Sequence, residues 1–168
     1  MSSILHMAEA IKEGLKQACP WQRKTQRDNL SIAIAGFMES LIANTMATAA
    51  ILPLKSERND MKYQWLSRVL GNHRIIPEEI MKPFIKQVFE KNPGKTIELI
   101  IDQTSINEKH SILMISLKWG KKAMPLIWKV KAGLHSMGYG DQKELLEKIK
   151  KHIPEGKETI LLGDRFYV

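Results

Sequence analysis

Cysteine is nearly absent: Cys19 is the one thiol in 168 residues. That excludes a disulfide scaffold and a thiolate-rich zinc site, and it fits a reducing compartment. An apolar signal core is missing too, because Glu9, Lys12, Glu13 and Lys16 interrupt the first eighteen residues at helical spacing. Long hydrophobic runs are lacking. The most apolar stretch, 32–54, holds Glu39 and Asn44 near its middle. A membrane span needs about 20 predominantly apolar residues and rarely tolerates a central carboxylate. This stretch therefore reads as a buried helix of a soluble protein, with no membrane partner. The five histidines, His6, His73, His110, His135 and His152, are dispersed without metal-ligand spacing. No GxxxxGK[ST] string occurs, so Gly133, Gly138 and Gly140 read as a turn into a helix, not a phosphate cradle. Internal repeats and low-complexity tracts are absent.

What is present is globular composition: 43% apolar and 26% charged residues. That supplies a core and excludes a disordered tail, a collagen-like rod or a coiled coil. Lys and Arg number 26 against 18 Asp and Glu, a formal charge of +8. Such a surplus suits a polyanion, nucleic acid first and an anionic membrane second. The surplus is +5 over residues 1–95 and +3 beyond, so it is spread over the chain.

Two rhythms divide the sequence. Up to about Asn92 the apolar residues recur at helical spacing. Ile4, Met7, Ala8, Ile11 and Leu15 line a first helix that Pro20 ends. Asp28 is the expected N-cap of a second, carrying Leu30, Ile34, Phe37, Met38, Leu41 and Ile42, and Pro53 closes that segment. Ser56, Asn59 and Asp60 open a third, in which Trp65, Leu66, Val69 and Leu70 face inward until Gly71. Pro77 with Glu78 and Glu79 starts a fourth, with Pro83 inside it. After Pro93-Gly94 come short β-branched runs. Thr96 to Ile101 and Thr159 to Leu162 read as strands buried on both faces. Ser111 to Trp119 and Ala123 to Val130 read as a hairpin turning at Gly120-Lys121-Lys122, with Trp119 and Trp128 as core residues. Asp141 to His152 is an amphipathic helix. The expected architecture is α+β, with a helical domain over 1–92 and a strand-strand-strand-helix-strand unit over 96–168.

The chemistry-bearing residues are two acids. Asp102 follows the first apolar strand, and Asp164 follows the last after one glycine. A strand that returns through a helix comes back parallel to a neighbour, and open α/β sheets bind ligands at the carboxyl ends of their strands. The two carboxylates then become neighbours. Like charges that close require a proton or a divalent cation such as Mg²⁺. The plainer alternative makes Asp102 a turn former and pairs Asp164 with Arg165.

Three strings, Ile100-Ile101-Asp102-Gln103-Thr104, Ala123-Met124-Pro125-Leu126-Ile127-Trp128 and Leu161-Leu162-Gly163-Asp164-Arg165-Phe166-Tyr167, resemble the DDE transposases of bacterial insertion sequences, in particular the IS-four-like group. The resemblance covers residues 96–168 and extends in kind to the helical first half. It implies an incomplete ribonuclease H-like domain in which Asp102 and Asp164 are catalytic and bind Mg²⁺ (or Mn²⁺). It also implies double-stranded transposon-end DNA as partner, cytoplasmic action, and in-line attack on DNA by water and then by a 3′-hydroxyl. Thr104 would support the turn around Asp102.

One departure is decisive for activity. The family's third acid, a Glu in a Tyr-x-x-Arg-x-x-x-Glu string, has no counterpart in residues 1–168. Glu108, Glu144 and Glu147 fall in the wrong places. The expectation is a truncated, inactive N-terminal remnant prone to self-association. The alternatives are a DNA-binding fragment without chemistry, or another ribonuclease H-like nuclease. Lys55, Arg58, Lys62 and Arg68, spaced near three and four, read either as a phosphate-contacting stripe or as a solvated face.

Overall fold

The computed structural model describes all residues except 1–2, 93, 135–136 and 165–168. His135 and the Arg165-Phe166-Tyr167 string thus lie outside the described residues. The chain is α+β and forms two compact units, Met1–Ile80 and Met81–Val168. The division falls before the change of rhythm at Pro93, because Ile85 and Phe89 are core residues of the second unit.

The first unit is helical. Helices α1 (Ser3–Ala18), α2 (Lys24–Ser40), α3 (Thr45–Ile51) and α4 (Asn59–Leu70) precede α5 (Pro77–Lys91), inside which the division falls. Ile4 and Ala8 of α1 bury against Ala35 of α2. Ala33, also on α2, joins Ala49, Leu52, Leu66 and Val69 in a second cluster. Small residues let α2 lie between the two: Gly36 leaves room for Leu52, whose Cδ2 is 2.4 Å from where a Cβ would stand.

Several expectations are corrected here. Asp28 is not an N-cap but lies inside α2, which starts at Lys24. The amide of Arg23 donates to Gln26 Oε1 instead (3.2 Å). The 32–54 stretch is two helices rather than one. Leu41 takes a left-handed conformation (φ 55°), and the Asn44 side chain accepts from the amides of Met46 and Ala47, both at 3.0 Å, capping α3. Met38, Leu41 and Ile42 are exposed as a result, and so is Leu70 at the end of α4. Among the described residues no single helix is long and apolar enough to cross a membrane; α2 and α3 together would be, but they bend by 104° at their break.

The second unit is a four-stranded mixed sheet. Strands β1 (Thr96–Ile106), β2 (His110–Trp119), β3 (Lys122–Ala132) and β4 (Glu158–Gly163) stand in the order β3-β2-β1-β4, with α6 (Tyr139–Lys150) before β4. β1 pairs antiparallel with β2, β2 antiparallel with β3, and β1 parallel with β4. Asn107 and Glu108, both with positive φ, turn the first hairpin, and Gly120 (φ 61°) the second.

One face of the sheet is covered. Ile97, Leu99 and Ile101 join Leu113, Ile115, Leu117, Leu126, Ile85, Phe89, Leu145 and Ile149 in a continuous core. β1 is therefore buried on alternate residues, not on both faces. β4 departs further from expectation: an apolar run suggested burial, but as an edge strand it is exposed along its whole length. Trp119 and Trp128, read as core, are each 37% exposed.

Candidate functional site

Strand register brings the two acids together. Along the parallel pair, Ile97 stands opposite Thr159, Leu99 opposite Leu161 and Ile101 opposite Gly163. One step further stand Asp102 and Asp164. In-register neighbours on adjacent strands are about 4.8 Å apart. Both acids are exposed. Side chains alternate across a strand, so Asp102 lies on the face opposite Leu99 and Ile101. The same row continues across the sheet through Met114 to Trp128.

The surroundings of Asp102 are fixed from both sides of the chain. Its Oδ1 accepts from the Gln103 amide at 2.9 Å. Gln103 Oε1 in turn accepts from the amide of Met137 (2.8 Å), and the Gln142 amide group donates to the Met137 carbonyl (3.1 Å). Met137 is buried in the core. The segment leading into α6 is thereby pinned beside the second half of β1. The role of Gln103 was not visible in the sequence, where it is one polar residue between two others.

The donor chemistry fits a hard cation. Asp102 lies within β1, which runs on to Ile106, rather than after its end, and Thr104 is likewise in the strand and not in a turn. Two carboxylates side by side on adjacent parallel strands offer oxygen ligands, and Mg²⁺ is often held by one or two carboxylates with water and phosphate oxygens for the rest. Among the described residues no group of three or more His, Cys, Asp and Glu side chains is arranged to hold a metal. The glutamates that the sequence reading set aside are engaged or placed elsewhere. Glu144 is taken by Lys129 and by Lys148 (3.0 Å), Glu147 faces Lys143 on α6, and Glu108 sits in the β1–β2 turn.

The basic stripe does not form one face. Lys55 lies before α4. Arg58 is held by Asp60, with Nη2 to Oδ2 at 2.6 Å and Nε to Oδ1 at 3.1 Å; that carboxylate raises the guanidinium pKa, and the guanidinium lowers the carboxyl's. Lys62 donates to the Ala50 carbonyl (3.2 Å). Arg68, six residues on and so about 240° around the helix, lines a cavity of about 180 Å³ with Gln26, Asn29, Trp65 and Asn72.

An ionic cluster that sequence reading did not single out ties β3 to α6. Lys131 Nζ lies 2.6 Å from Asp141 Oδ2, and Lys129 Nζ lies 3.0 Å from Asp141 Oδ1 and also contacts Glu144. Lys131 first and Lys129 second hold the Asp141 carboxyl below its ordinary value. Lys129, then Lys148, do the same for Glu144. Alternate lysines on a strand facing acids one turn apart on a helix could have been the signal. Compared with known proteins, the chain matches no family model, no curated protein and no solved structure.

Proposed function

We propose that the chain carries two metal-binding aspartates of a DNA transposase site, on a ribonuclease H-like sheet, and that residues 1–168 bind transposon-type DNA in the cytoplasm without cutting it. The observation that carries this reading is the parallel register that sets Asp102 beside Asp164. In it the two carboxylates hold Mg²⁺ (or Mn²⁺), while the pinned Met137 segment holds β1 at Gln103, next to Asp102. A bound metal pair supplies charge stabilisation to the attacking and leaving oxygens of a phosphodiester. The chain's own part is to position that charge with Asp102 and Asp164, and to hold the DNA backbone with surplus cations.

Catalysis by paired metals needs ligands that fix both ions, and no third carboxylate joins the two among the described residues. In this reading residues 1–168 bind DNA without cutting it. A nicking assay on supercoiled DNA with Mg²⁺ or Mn²⁺ tests it, with Asp102→Ala as control. No nicking above the control is expected. Metal-dependent nicking abolished by Asp102→Ala would overturn the non-cutting reading. A gel shift that shows no DNA binding at low salt would overturn the binding.

A further inference from the structure

The helical unit contains a second polar cavity, of about 300 Å³, lined by Trp21, Gln22, Arg23, Gln26, Arg74 and Glu79 among others. That volume is at the small end of ligand pockets. Gln26 lines both this cavity and the one beside Arg68.

Its walls are held in place from behind. Arg27 donates to the carbonyls of Gln22 (2.5 Å) and Pro20 (3.3 Å), and the Gln22 amide donates to the Cys19 carbonyl (3.1 Å). The α1–α2 connection is thus a braced loop. Within it Gln22 is 7% exposed, and its Oε1 is buried without a hydrogen-bond partner. Such an orphaned acceptor costs stability, and native structures rarely keep one without a use. By contrast Trp21, the residue before it, is 59% exposed.

We infer that this cavity binds an unpaired nucleotide unit: a phosphate together with a base that bears an exocyclic amino group. Each requirement matches one wall. The amino group donates to Gln22 Oε1, reached by a turn about the last side-chain torsion. The indole of Trp21 offers a stacking face for the base, a contact every base can make. Arg23 and Arg74 supply the charge for phosphate, and Glu79 limits the net charge of the cavity to one positive unit. The cavity lies within the helical unit and the inference does not rest on the aspartate pair.

The same chemistry is offered by a nucleic-acid strand and by a free nucleotide, and the experiment separates them. Tryptophan fluorescence of the full chain is titrated with oligodeoxycytidine, with oligodeoxythymidine, which lacks the amino group, and with free dCMP. Oligodeoxycytidine should bind about tenfold more tightly than oligodeoxythymidine, and Trp21→Ala should cost about tenfold. Gln22→Leu should abolish the preference between the two bases while leaving thermal stability unchanged or higher, since it removes a buried unpaired group. Binding of dCMP with the same sensitivity to Gln22→Leu would support the site with a soluble nucleotide as its source. Equal affinity for the two oligonucleotides, or a preference that survives Gln22→Leu in a folded variant, would overturn the inference. So would a Trp21→Ala chain that binds as the parent does.

Discussion

Lys131 and Asp141 meet at 2.6 Å, across the gap between edge strand β3 and the first turn of α6. Asp141 is largely buried there, and a carboxylate in a first turn also faces the positive end of the helix. Both Asp141 and Glu144 titrate below their ordinary values. A depressed carboxyl pKa contributes stability above the unfolded value, near 4, and that contribution disappears as pH falls through the folded value. Denaturant unfolding between pH 3 and 6 (a range set by the carboxylate values, roughly) should therefore show falling stability on the acid side. Asp141→Asn should flatten that slope; an unchanged slope would sink the assignment.

His152 gives a second pH window of the same sign. Burial first, and then Lys82 and Lys151, push its pKa down. The unfolded chain binds the proton more readily, so stability is complete above the ordinary histidine value of about 6.5 and declines below it. His152→Gln should remove this step without touching the one near pH 4. The check is the pH dependence of the unfolding midpoint for the two chains.

Gly36 sets two effects against each other. Alanine in place of an interior helical glycine gains about 1 kcal/mol of helix propensity. At this position the new Cβ would stand 2.4 Å from Leu52 Cδ2 and 3.3 Å from Thr48 Cγ2, and both partners are fully buried. Overpacking a closed core costs about 1–3 kcal/mol, so the clash should win. Gly36→Ala is expected to lower the unfolding midpoint; a rise would mean that Leu52 can swing aside.

Much of the second unit was legible because strand signals are local. The runs after residue 95, the Gly120 turn and the Asp141 helix all stand within a few residues of their expected positions. Burial was less legible, because it depends on what covers an element. Thr159 to Leu162 is as apolar as Ile97 to Ile101, yet only the latter is roofed by α5 and α6. The break between α2 and α3 was hidden because Leu41 and Ile42 look like core, whereas Asn44 before Thr45 was a cap signal that their hydrophobicity outweighed. At the candidate site, sequence named Asp102 and Asp164, which are chain-local. It could not name Gln103, whose partner Met137 is distant in sequence, nor the cavity that gathers residues 21–26 with 74–79.

The carboxylate pair itself is open to a direct test. Mg²⁺ that binds the folded state should raise the thermal midpoint in proportion to the logarithm of its concentration above Kd. With two protein ligands the half-point should fall at millimolar concentration, and Ca²⁺, which prefers more oxygen ligands, should do less. Asp102→Asn should abolish the shift and stabilise the metal-free chain by removing like-charge repulsion. A metal-induced shift that persists in Asp102→Asn would place the cation elsewhere.

The two edges of the sheet are protected unequally. β3 carries Lys122, Lys129 and Lys131, a proline at Pro125, and a bulge opposite Ile115 and Ser116. These are the devices that discourage a second strand from pairing. β4 has none of them between Glu158 and Asp164: Ile160, Leu161 and Leu162 are 43%, 45% and 39% exposed, and among the described residues its outer backbone groups face no strand. Chains that meet along β4 can therefore extend the sheet, and self-association should grow with concentration. A lysine at Ile160 is the sharpest test, because that position lies beside Glu98 in the β1–β4 register and gains a cross-strand partner of opposite charge. Sedimentation of the parent chain should show concentration-dependent oligomers, while Ile160→Lys stays monomeric with its β-sheet circular dichroism intact. A parent chain that remains monomeric throughout, or an Ile160→Lys chain that associates as strongly, would show that the β4 edge is not where copies meet.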